Sequence, residues 1–414
     1  MSSPLKNKAF LSLFLTIMID MLGIGIIIPV LAVVFLSPET TLFSHDVSFA
    51  TRTLYLGILT TLYPLAQFFG APIIGALADK FGRKKMLILS LIGTCIGYIL
   101  FAIGVVYGNL WILFISRLID GFTGGNISVA QAAISDMAPP TERLKYFGFI
   151  GMAFGFGFII GPFIGGKLAD PNVVSWFTNA TPFIFSAILT LVNIISLQLF
   201  FKETLLKKRT EKITVYTGLK NIYKAFSFKE TRVLFIVAFL FMFGFTFFTQ
   251  FSQVFLIKKF DFTQSMIGNY FAVIGILIAV MQGFVGRIVG KKWQAQDILR
   301  FAPLVLALGF FLFSASQTVI FLYLVTVLIV FGNGITQPNL FVLISKTASP
   351  DAQGELFGIN QSVQSLAVIF PPILAGLISS VWVGAPVFVA GMCTLIAWII
   401  FVLYYRHEKE FHAI

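Results

Sequence analysis

Twelve long apolar runs divide this chain and decide what it can fold into. Each run has about 20 or more mostly apolar residues, which is the length a helix needs to cross a membrane. Short polar turns separate the runs, and the longest polar insert is 202–231. The runs cover residues 10–36, 54–78, 86–107, 110–136, 147–168, 181–201, 232–256, 265–288, 299–316, 319–345, 356–379 and 385–405.

The composition agrees with a membrane solvent. Hydrophobic residues make up 58% of the 414 residues and charged residues 11%, whereas soluble domains are about 45–50% apolar and about 25% charged. A water-soluble chain of this length could not bury so much apolar surface. The first run lacks a small-residue cleavage site after it and is long enough to span, so it is interpreted as a first helix. We predict an all-α membrane protein with 12 transmembrane helices.

The basic residues orient the predicted helices. With the N-terminus inside, nearly all Lys and Arg fall on inner segments, and the outer segments hold only Arg52, Lys167, Lys258 and Lys259. This asymmetry follows the positive-inside rule and predicts that both termini are cytoplasmic, in a cell inner membrane. It also explains the net charge of +12 through anionic lipid as a partner, so no nucleic-acid partner is expected.

The two halves of the chain look duplicated. Residues 124–148 align with 334–358, with matching serine, alanine, proline and Phe-Gly positions, and Pro162 falls opposite Pro371. Two six-helix pseudo-repeats facing each other would leave a cavity at the membrane midplane. The predicted domains are an N-terminal six-helix bundle (1–201), a cytoplasmic central loop (202–231) and a C-terminal six-helix bundle (232–414).

The loop between the second and third runs carries the stretch GALADKFGRKK, Gly75 to Lys85. Gly82 allows a positive φ in a tight turn, and Asp79 can face a helix N-terminus, where backbone N–H groups favour an anion. Positive charge at an inner loop could by itself reflect topology alone, but topology does not require the acid and both glycines.

This stretch resembles the signature G-x-L-x-D-x-x-G-R-[KR] of the major facilitator superfamily, whose members are membrane transporters. The resemblance implies that an acid and an arginine latch the two halves while the transporter faces outward. The residues that would form this cytoplasmic latch are Gly75, Asp79, Gly82, Arg83, Lys84 and Asp136.

A second stretch, GFIIGPFIGG in the fifth run, resembles the antiporter motif of the same family, G-x-x-x-G-P-x-x-G-G. The matching residues are Gly157, Gly161, Pro162, Gly165 and Gly166. Glycines four apart let a facing helix approach closely, so simple helix packing is the alternative interpretation. Since the family uses this motif in proton-coupled exporters, the resemblance implies outward transport.

The stretch DMLGIGIIIPVL, from Asp20, strengthens the likeness to twelve-span drug:proton antiporters, in particular to the tetracycline-efflux branch. Those exporters carry a further acid in span 3 and another in span 9. The corresponding residues here, 91–102 and 303–314, contain no acid. Metal-chelated tetracycline is therefore not carried over as the substrate.

Three charged residues lie near the middle of apolar runs. Asp20 and Asp120 each lie about 15 Å from a helix end at 1.5 Å per residue, and an ionised acid there costs about 2.5–3.5 kcal/mol on insertion scales. Arg117 shares a helix face with Asp120 at i, i+3. We hypothesise that Asp120 is the main proton carrier, tuned by Arg117, with Asp20 as a second carrier or a substrate contact. The alternative is a static ion pair that only joins two helices.

The C-terminal spans carry amides and many phenylalanines in place of mid-depth charge. Such a wall suits an amphipathic organic substrate, although the phenylalanines could instead face lipid and the amides hold helices together. The predicted substrate-cavity residues are Gln250, Gln253, Asn333, Gln337, Asn339, Asn360, Gln361 and Gln364.

These features together predict a monomeric, proton-coupled secondary exporter of small amphipathic organic compounds that works by alternating access. The alternatives are a dedicated exporter of one metabolite, siderophore or lipid-like molecule, and a passive facilitator. The sequence offers no reactive cluster for an enzyme and no His/Cys cluster for a metal. No cofactor is expected beyond the proton as coupling ion.

Overall fold

The computed structural model describes residues 8–37, 40–139, 142–205, 217–227, 231–281, 285, 288–289, 292–347 and 353–411. Fifteen α-helices and no strands occur within these ranges, so the predicted all-α class is confirmed there. The helices are α1 (Lys8–Leu36), α2 (Phe49–Phe81), α3 (Arg83–Val106), α4 (Leu110–Thr123), α5 (Asn126–Met137), α6 (Arg143–Leu168), α7 (Thr181–Phe200), α8 (Thr217–Ser227), α9 (Arg232–Phe260), α10 (Gln264–Val280), α11 (Ala295–Ala315), α12 (Val319–Lys346), α13 (Gln353–Ala367), α14 (Pro371–Ile378) and α15 (Ala385–Phe411).

The predicted spans coincide with these helices. In the described part of the chain, ten helical stretches are long and apolar enough to cross a membrane. The remaining two predicted spans, 110–136 and 265–288, correspond to α4 with α5 and to α10. The prediction of a multi-pass helical membrane protein is confirmed, while the two-repeat layout and the cytoplasmic termini stay predictions.

The fourth predicted span, 110–136, is wrong as one continuous helix, because α4 and α5 are separated by Gly124 and Gly125. Helix α2 comes close at this point: a Cβ on Gly124 would lie 2.8 Å from the hydroxyl of Tyr63. The side-chain amide of Gln67 donates to the Gly124 carbonyl at 2.9 Å. Two glycines weaken the helix here, and a neighbouring side chain takes up the carbonyl at the break.

The predicted span 356–379 is likewise divided, into α13 and α14. Pro371 and Pro372 begin α14. Neither proline has an N–H to donate, so two helical hydrogen bonds are lost at this point. Residues 368–370 form a turn between the two helices. Pro162, which aligns with Pro371 in the sequence comparison, instead lies inside the continuous α6.

The chain folds into two compact units that each combine distant segments. One unit comprises Met1–Ser48, Leu62–Tyr216 and Phe262–Val273, and the other comprises Phe49–Thr61, Thr217–Asp261 and Ile274–Ile414. The beginning of α2 belongs to the second unit, where the Thr53 hydroxyl donates to the Gly376 carbonyl at 2.9 Å. The beginning of α10 belongs to the first unit, where a Cβ on Gly166 would lie 3.0 Å from Cα of Gly268.

Each unit has its own apolar core. Phe10, Leu87 and Phe201 are among the buried side chains of the first core, and Phe235 and Leu299 are among those of the second. The central loop predicted at 202–231 contains α8, which packs on α13.

Glycines of the second motif allow α6 to pack closely on α1. Gly157, Gly161 and Gly165 all face α1. A Cβ on Gly161 would lie 2.6 Å from the Leu22 carbonyl oxygen and 2.9 Å from Cα of Gly25. Because these neighbours are backbone atoms, they cannot rotate away, and only glycine fits. The motif therefore builds the seam between α1 and α6.

Replacing Gly161 by alanine should destabilise the protein, because overpacking a close seam costs about 1–3 kcal/mol. Gly155→Ala is a matched control on the same helix, since no atom lies within 4 Å of a Cβ there. Both substitutions gain the same helix propensity. Thermal unfolding in detergent should give a lower Tm for Gly161→Ala and no decrease for Gly155→Ala. An unchanged Tm for Gly161→Ala would contradict the close seam.

Candidate functional site

A buried ion pair and a second buried acid lie in the first unit. Nη1 of Arg117 lies 3.2 Å from Oδ2 of Asp120, and only 4% and 5% of the two side chains are exposed. On α1, the buried Asp20 accepts a hydrogen bond of 2.6 Å from Nδ2 of Asn126. Asn126 lies six residues after Asp120, just past the break at Gly124 and Gly125, so its contact with Asp20 brings α1 to this end of α4. The fold therefore brings together the three charged residues singled out in the sequence.

The Arg117 guanidinium has few partners for so buried a cation. It lies over the ring of Phe101, 4.7 Å from the ring centroid, which stabilises a desolvated cation. Among the described residues, its Nε and Nη2 have no hydrogen-bond partner. Because these two N–H groups are free among those residues, the guanidinium can bind a second acceptor. Such binding would remove the cost of burying donors without partners.

A glycine on α3 creates the space that Asp120 occupies. A Cβ on Gly97 would lie 2.8 Å from Cβ of Asp120 and 3.3 Å from the Ser116 carbonyl oxygen. On α1, a Cβ on Gly23 would collide with the hydroxyl of Tyr98. Close helix approach at these two glycines lets α1, α3 and α4 share one polar region in an otherwise apolar bundle.

Sequence reasoning missed several polar residues of this region. Thr94 and Tyr98, one turn apart on α3, are both buried, and Gly97 between them packs on Cβ of Asp120. Asn126 was missed although it holds Asp20. The spacing of Thr94 and Tyr98 could have predicted their shared location, because residues at i, i+4 in an apolar run lie on one helix face. Asn126 directly follows the two glycines that interrupt the fourth span.

The predicted latch has an arginine between two acids. Nε of Arg83 lies 3.0 Å from Oδ2 of Asp136, and its Nη2 lies 3.9 Å from Oδ1 of Asp79. Gly82 has φ 109°, which strongly favours glycine. No atom lies within 4 Å of a Cβ on Gly75, so the described residues give no steric reason for glycine there. The geometry of a latch is present, and its role in transport stays a prediction.

Glu203, which sequence reasoning also missed, completes this region. Its carboxylate accepts hydrogen bonds from the backbone N–H of Arg83 at 3.0 Å and of Lys84 at 3.1 Å. Gly82 offers no side-chain cap to α3, so Glu203 satisfies the free N–H groups at that helix start. The Lys84 ammonium donates to the Gln198 carbonyl at 2.8 Å and so binds the end of α7.

The hydrogen bonds to Glu203 govern its ionisation. Partial burial by itself would raise the pKa of Glu203, but hydrogen bonds from the backbone N–H groups of Leu205, Arg83, Lys84 and Thr204 together outweigh it. The pKa of Glu203 is therefore lower than its ordinary value.

The predicted substrate-cavity amides all lie in the second unit, on α9, α12 and α13. Three of them, Gln253, Asn333 and Asn360, have a buried carbonyl oxygen with no hydrogen-bond partner among the described residues. The amide of Asn339 instead donates to the Ile335 carbonyl at 2.8 Å. Gln337 and Gln361 are exposed, and Gln250 and Gln364 are half-buried. Burying these three carbonyl oxygens costs free energy until each gains a hydrogen-bond partner.

Known proteins similar in sequence to this chain include members of the major facilitator superfamily and drug-resistance proteins. The sequence profile described as Major Facilitator Superfamily matches residues 13–372. Tetracycline resistance protein, class H, of Pasteurella multocida is 33% identical over 380 residues, covering 90% of both chains. Multidrug resistance protein 2 of Bacillus subtilis (strain 168) is 27% identical over 396 residues, covering 94% of both chains.

Solved structures share the fold. The crystal structure of the human organic anion transporter MFSD10 has a TM-score of 0.71 at 22% identity, covering 96% of this chain and 100% of that one. The crystal structure of a D-xylose-proton symporter has a TM-score of 0.75 at 16% identity, covering 95% of this chain and 96% of that one.

The helical fold and the polar residues buried within it define a multi-pass membrane transporter of small molecules and not an enzyme. The chain belongs to the major facilitator superfamily. The family resemblance drawn from its motifs is thereby confirmed.

Removing the Glu203 carboxylate should lower the Tm in a pH-dependent way. Because its pKa is depressed in the folded chain, its ionised form stabilises the fold above its ordinary pKa of about 4.3. That contribution is lost as the pH falls through the lower, folded value. Glu203→Gln should therefore unfold at a lower temperature than wild type at pH 7, and the difference should shrink on acidification.

Asp261→Asn is the control for this experiment, since it removes a carboxylate at the end of α9, where φ is 54° and asparagine is tolerated. The control should not lower the Tm at pH 7. A Glu203→Gln deficit that stays constant from pH 7 to about pH 3, well below the ordinary pKa of about 4.3, would contradict the role of the carboxylate charge.

Proposed function

We propose that this protein is a proton-coupled exporter that exchanges protons for small amphipathic organic compounds by alternating access. The observation that carries the proposal is the imbalance of buried charge in the first unit. Two buried carboxyl groups, Asp20 and Asp120, accompany one buried guanidinium, Arg117.

Charge balance supports a bound proton at this site. With both acids ionised, the three side chains sum to −1 in a region where an uncompensated charge is costly. One proton makes the group neutral, and its release leaves an anion that can take up another proton or attract a cationic group. This alternation is what a proton-driven exchanger requires of a mid-membrane site.

The arrangement of partners suggests how the proton is passed on. Arg117 forms an ion pair with Asp120. Asp20 instead accepts a hydrogen bond from the neutral amide of Asn126. We propose that the proton resides on whichever acid lacks the guanidinium, so that Arg117 moving from Asp120 to Asp20 transfers the proton to Asp120. Asp120 then acts as the main carrier and Asp20 as the second. The alternative is a permanent Arg117–Asp120 pair that only stabilises α4.

The substrate class is inferred from the second unit and from the relatives. The carbonyl oxygens of Gln253, Asn333 and Asn360, which have no partner in the part of the chain that the structure describes, could accept hydrogen bonds from an organic compound. The relatives' names refer to tetracycline and to multiple drugs, which supports a drug-like substrate. The third and ninth spans contain no acid, which disfavours a metal-chelated drug. A dedicated exporter of one metabolite, siderophore or lipid-like molecule is the second candidate, and a passive facilitator the third.

The proposal includes the cellular setting. The protein would act as a monomer in the inner membrane with both termini in the cytoplasm and with two six-helix halves, 1–201 and 232–414. The latch of Asp79, Arg83 and Asp136 would hold the outward-facing state, and the proton would be the only coupling ion.

Proton flux in proteoliposomes tests this proposal. Under an imposed pH gradient, a panel of dyes, drugs and chelators is added while internal pH is followed with a trapped dye. Wild type should show substrate-triggered proton flux, and Asp120→Asn and Asp20→Asn should each abolish it, because a neutral amide cannot carry the proton. Asp261→Asn, outside the buried region, should retain the wild-type flux.

The proton flux of these variants distinguishes an antiporter from a static ion pair and from a passive facilitator. Flux that survives in Asp120→Asn would make the Arg117–Asp120 pair static and contradict its role in coupling. Substrate movement without proton flux in wild type would identify a facilitator and overturn the antiporter.

A further inference from the structure

Two cavities meet at Trp293, where α11 begins and α12 ends. One has a volume of about 430 Å³ and is lined by polar side chains, including Lys292, Gln294, Asn339 and Lys346. The other has a volume of about 350 Å³ and is almost wholly apolar, with Phe301, Val305, Phe331 and Ile335 among its lining residues. Trp293 lines both cavities. A ligand bound across them would need a polar part and an apolar part.

The polar cavity favours an anion. The described residues that line it carry two lysines and two amides but no carboxylate. The acid of the neighbouring apolar cavity, Asp297, lies 3.7 Å from Nη1 of Arg300, so a cation already partners it. Ammonium groups and amide N–H groups are donors, and two lysines suit a phosphate.

The position of the cavities along the helices matches one leaflet of a bilayer. Lys346 is the last residue of α12, and Lys292 precedes the start of α11, so both lie at span ends. The eleven steps from Ile335 to Lys346 rise about 16 Å along α12. Half of a hydrocarbon core of about 30 Å is close to this value. The apolar cavity thus lies at the depth of an acyl chain and the polar cavity at the depth of headgroups.

The lining faces outward from the protein. Trp293 is 62% exposed and Phe301 is 69% exposed. In a membrane span, such apolar exposure means contact with lipid, and tryptophan is enriched at the membrane–water interface. The positive-inside rule predicts that this end of α11 and α12 is cytoplasmic, where anionic lipids attract lysines.

We propose that these joined cavities bind one anionic phospholipid of the cytoplasmic leaflet. Lys292 and Lys346 hold its phosphate, and one acyl chain lies along Phe301, Phe331 and Ile335. A soluble phosphate would use only the polar cavity and leave the apolar one unfilled. A zwitterionic phospholipid would also offer a phosphate, but it would bring a fixed cation to a cavity that already holds two lysines.

Native mass spectrometry of the full chain in detergent tests the site. Phosphatidylglycerol should bind wild type more tightly than phosphatidylcholine with the same acyl chains. The double variant Lys292→Gln/Lys346→Gln should bind phosphatidylglycerol about tenfold or more weakly, because each lysine near an anionic headgroup strengthens binding several-fold. The matched control, Lys258→Gln/Lys259→Gln, removes two positive charges at the end of α9 and should keep the wild-type affinity. Equal weakening in both variants would overturn the site in favour of bulk charge.

Fluorescence gives an independent measurement at Trp293. In a variant that keeps only this tryptophan, brominated acyl chains on phosphatidylglycerol should quench more strongly than on phosphatidylcholine. A variant that keeps only Trp382 should show no such preference. Excess sn-glycerol phosphate should fail to reverse the quenching. Reversal by glycerol phosphate would identify a soluble-anion site, and equal quenching by both lipids would identify an unspecific lipid contact; either result overturns the proposal.

Discussion

The contact between the Arg117 guanidinium and the Asp120 carboxylate is the interaction on which the candidate site depends. Both side chains are buried among apolar helices, where an unpaired charge would cost several kcal/mol. The pair therefore constrains its neighbours: Phe101 covers the cation, Gly97 leaves room for the acid, and a second acid, Asp20, is buried on α1. A site with one more acid than base can hold a proton without any change in the fold.

Glycine seams make this burial possible. Gly97 admits Asp120 between α3 and α4, and Gly161 brings α6 against α1, the helix that carries Asp20. Without side chains at these points, backbones approach closely and the packing between helices becomes tight. Gly161 belongs to the antiporter motif and also supports the helix that carries Asp20. The packing and functional interpretations of the motif are therefore compatible.

A second polar centre lies at the start of α3, outside the apolar spans. Arg83 there pairs with Asp136 and Asp79, while Glu203 caps the helix from the segment after α7. This arrangement joins α2, α3, α5 and the end of α7 through charged groups. Because Lys84 also binds the last turn of α7, any movement of these helices relative to one another must change several polar contacts together.

Local composition and spacing were enough to predict the membrane solvent, the apolar spans, the Arg117–Asp120 pairing and the turn at Gly82. The positions where the spans break, as at Gly124 beside α2, and the distant residues that join the site depend on how the helices pack. Asn126 reaches Asp20 across 106 positions of sequence, and Glu203 reaches Arg83 across 120. Such contacts depend on how helices pack, and packing is set by close approach in three dimensions that no local pattern records.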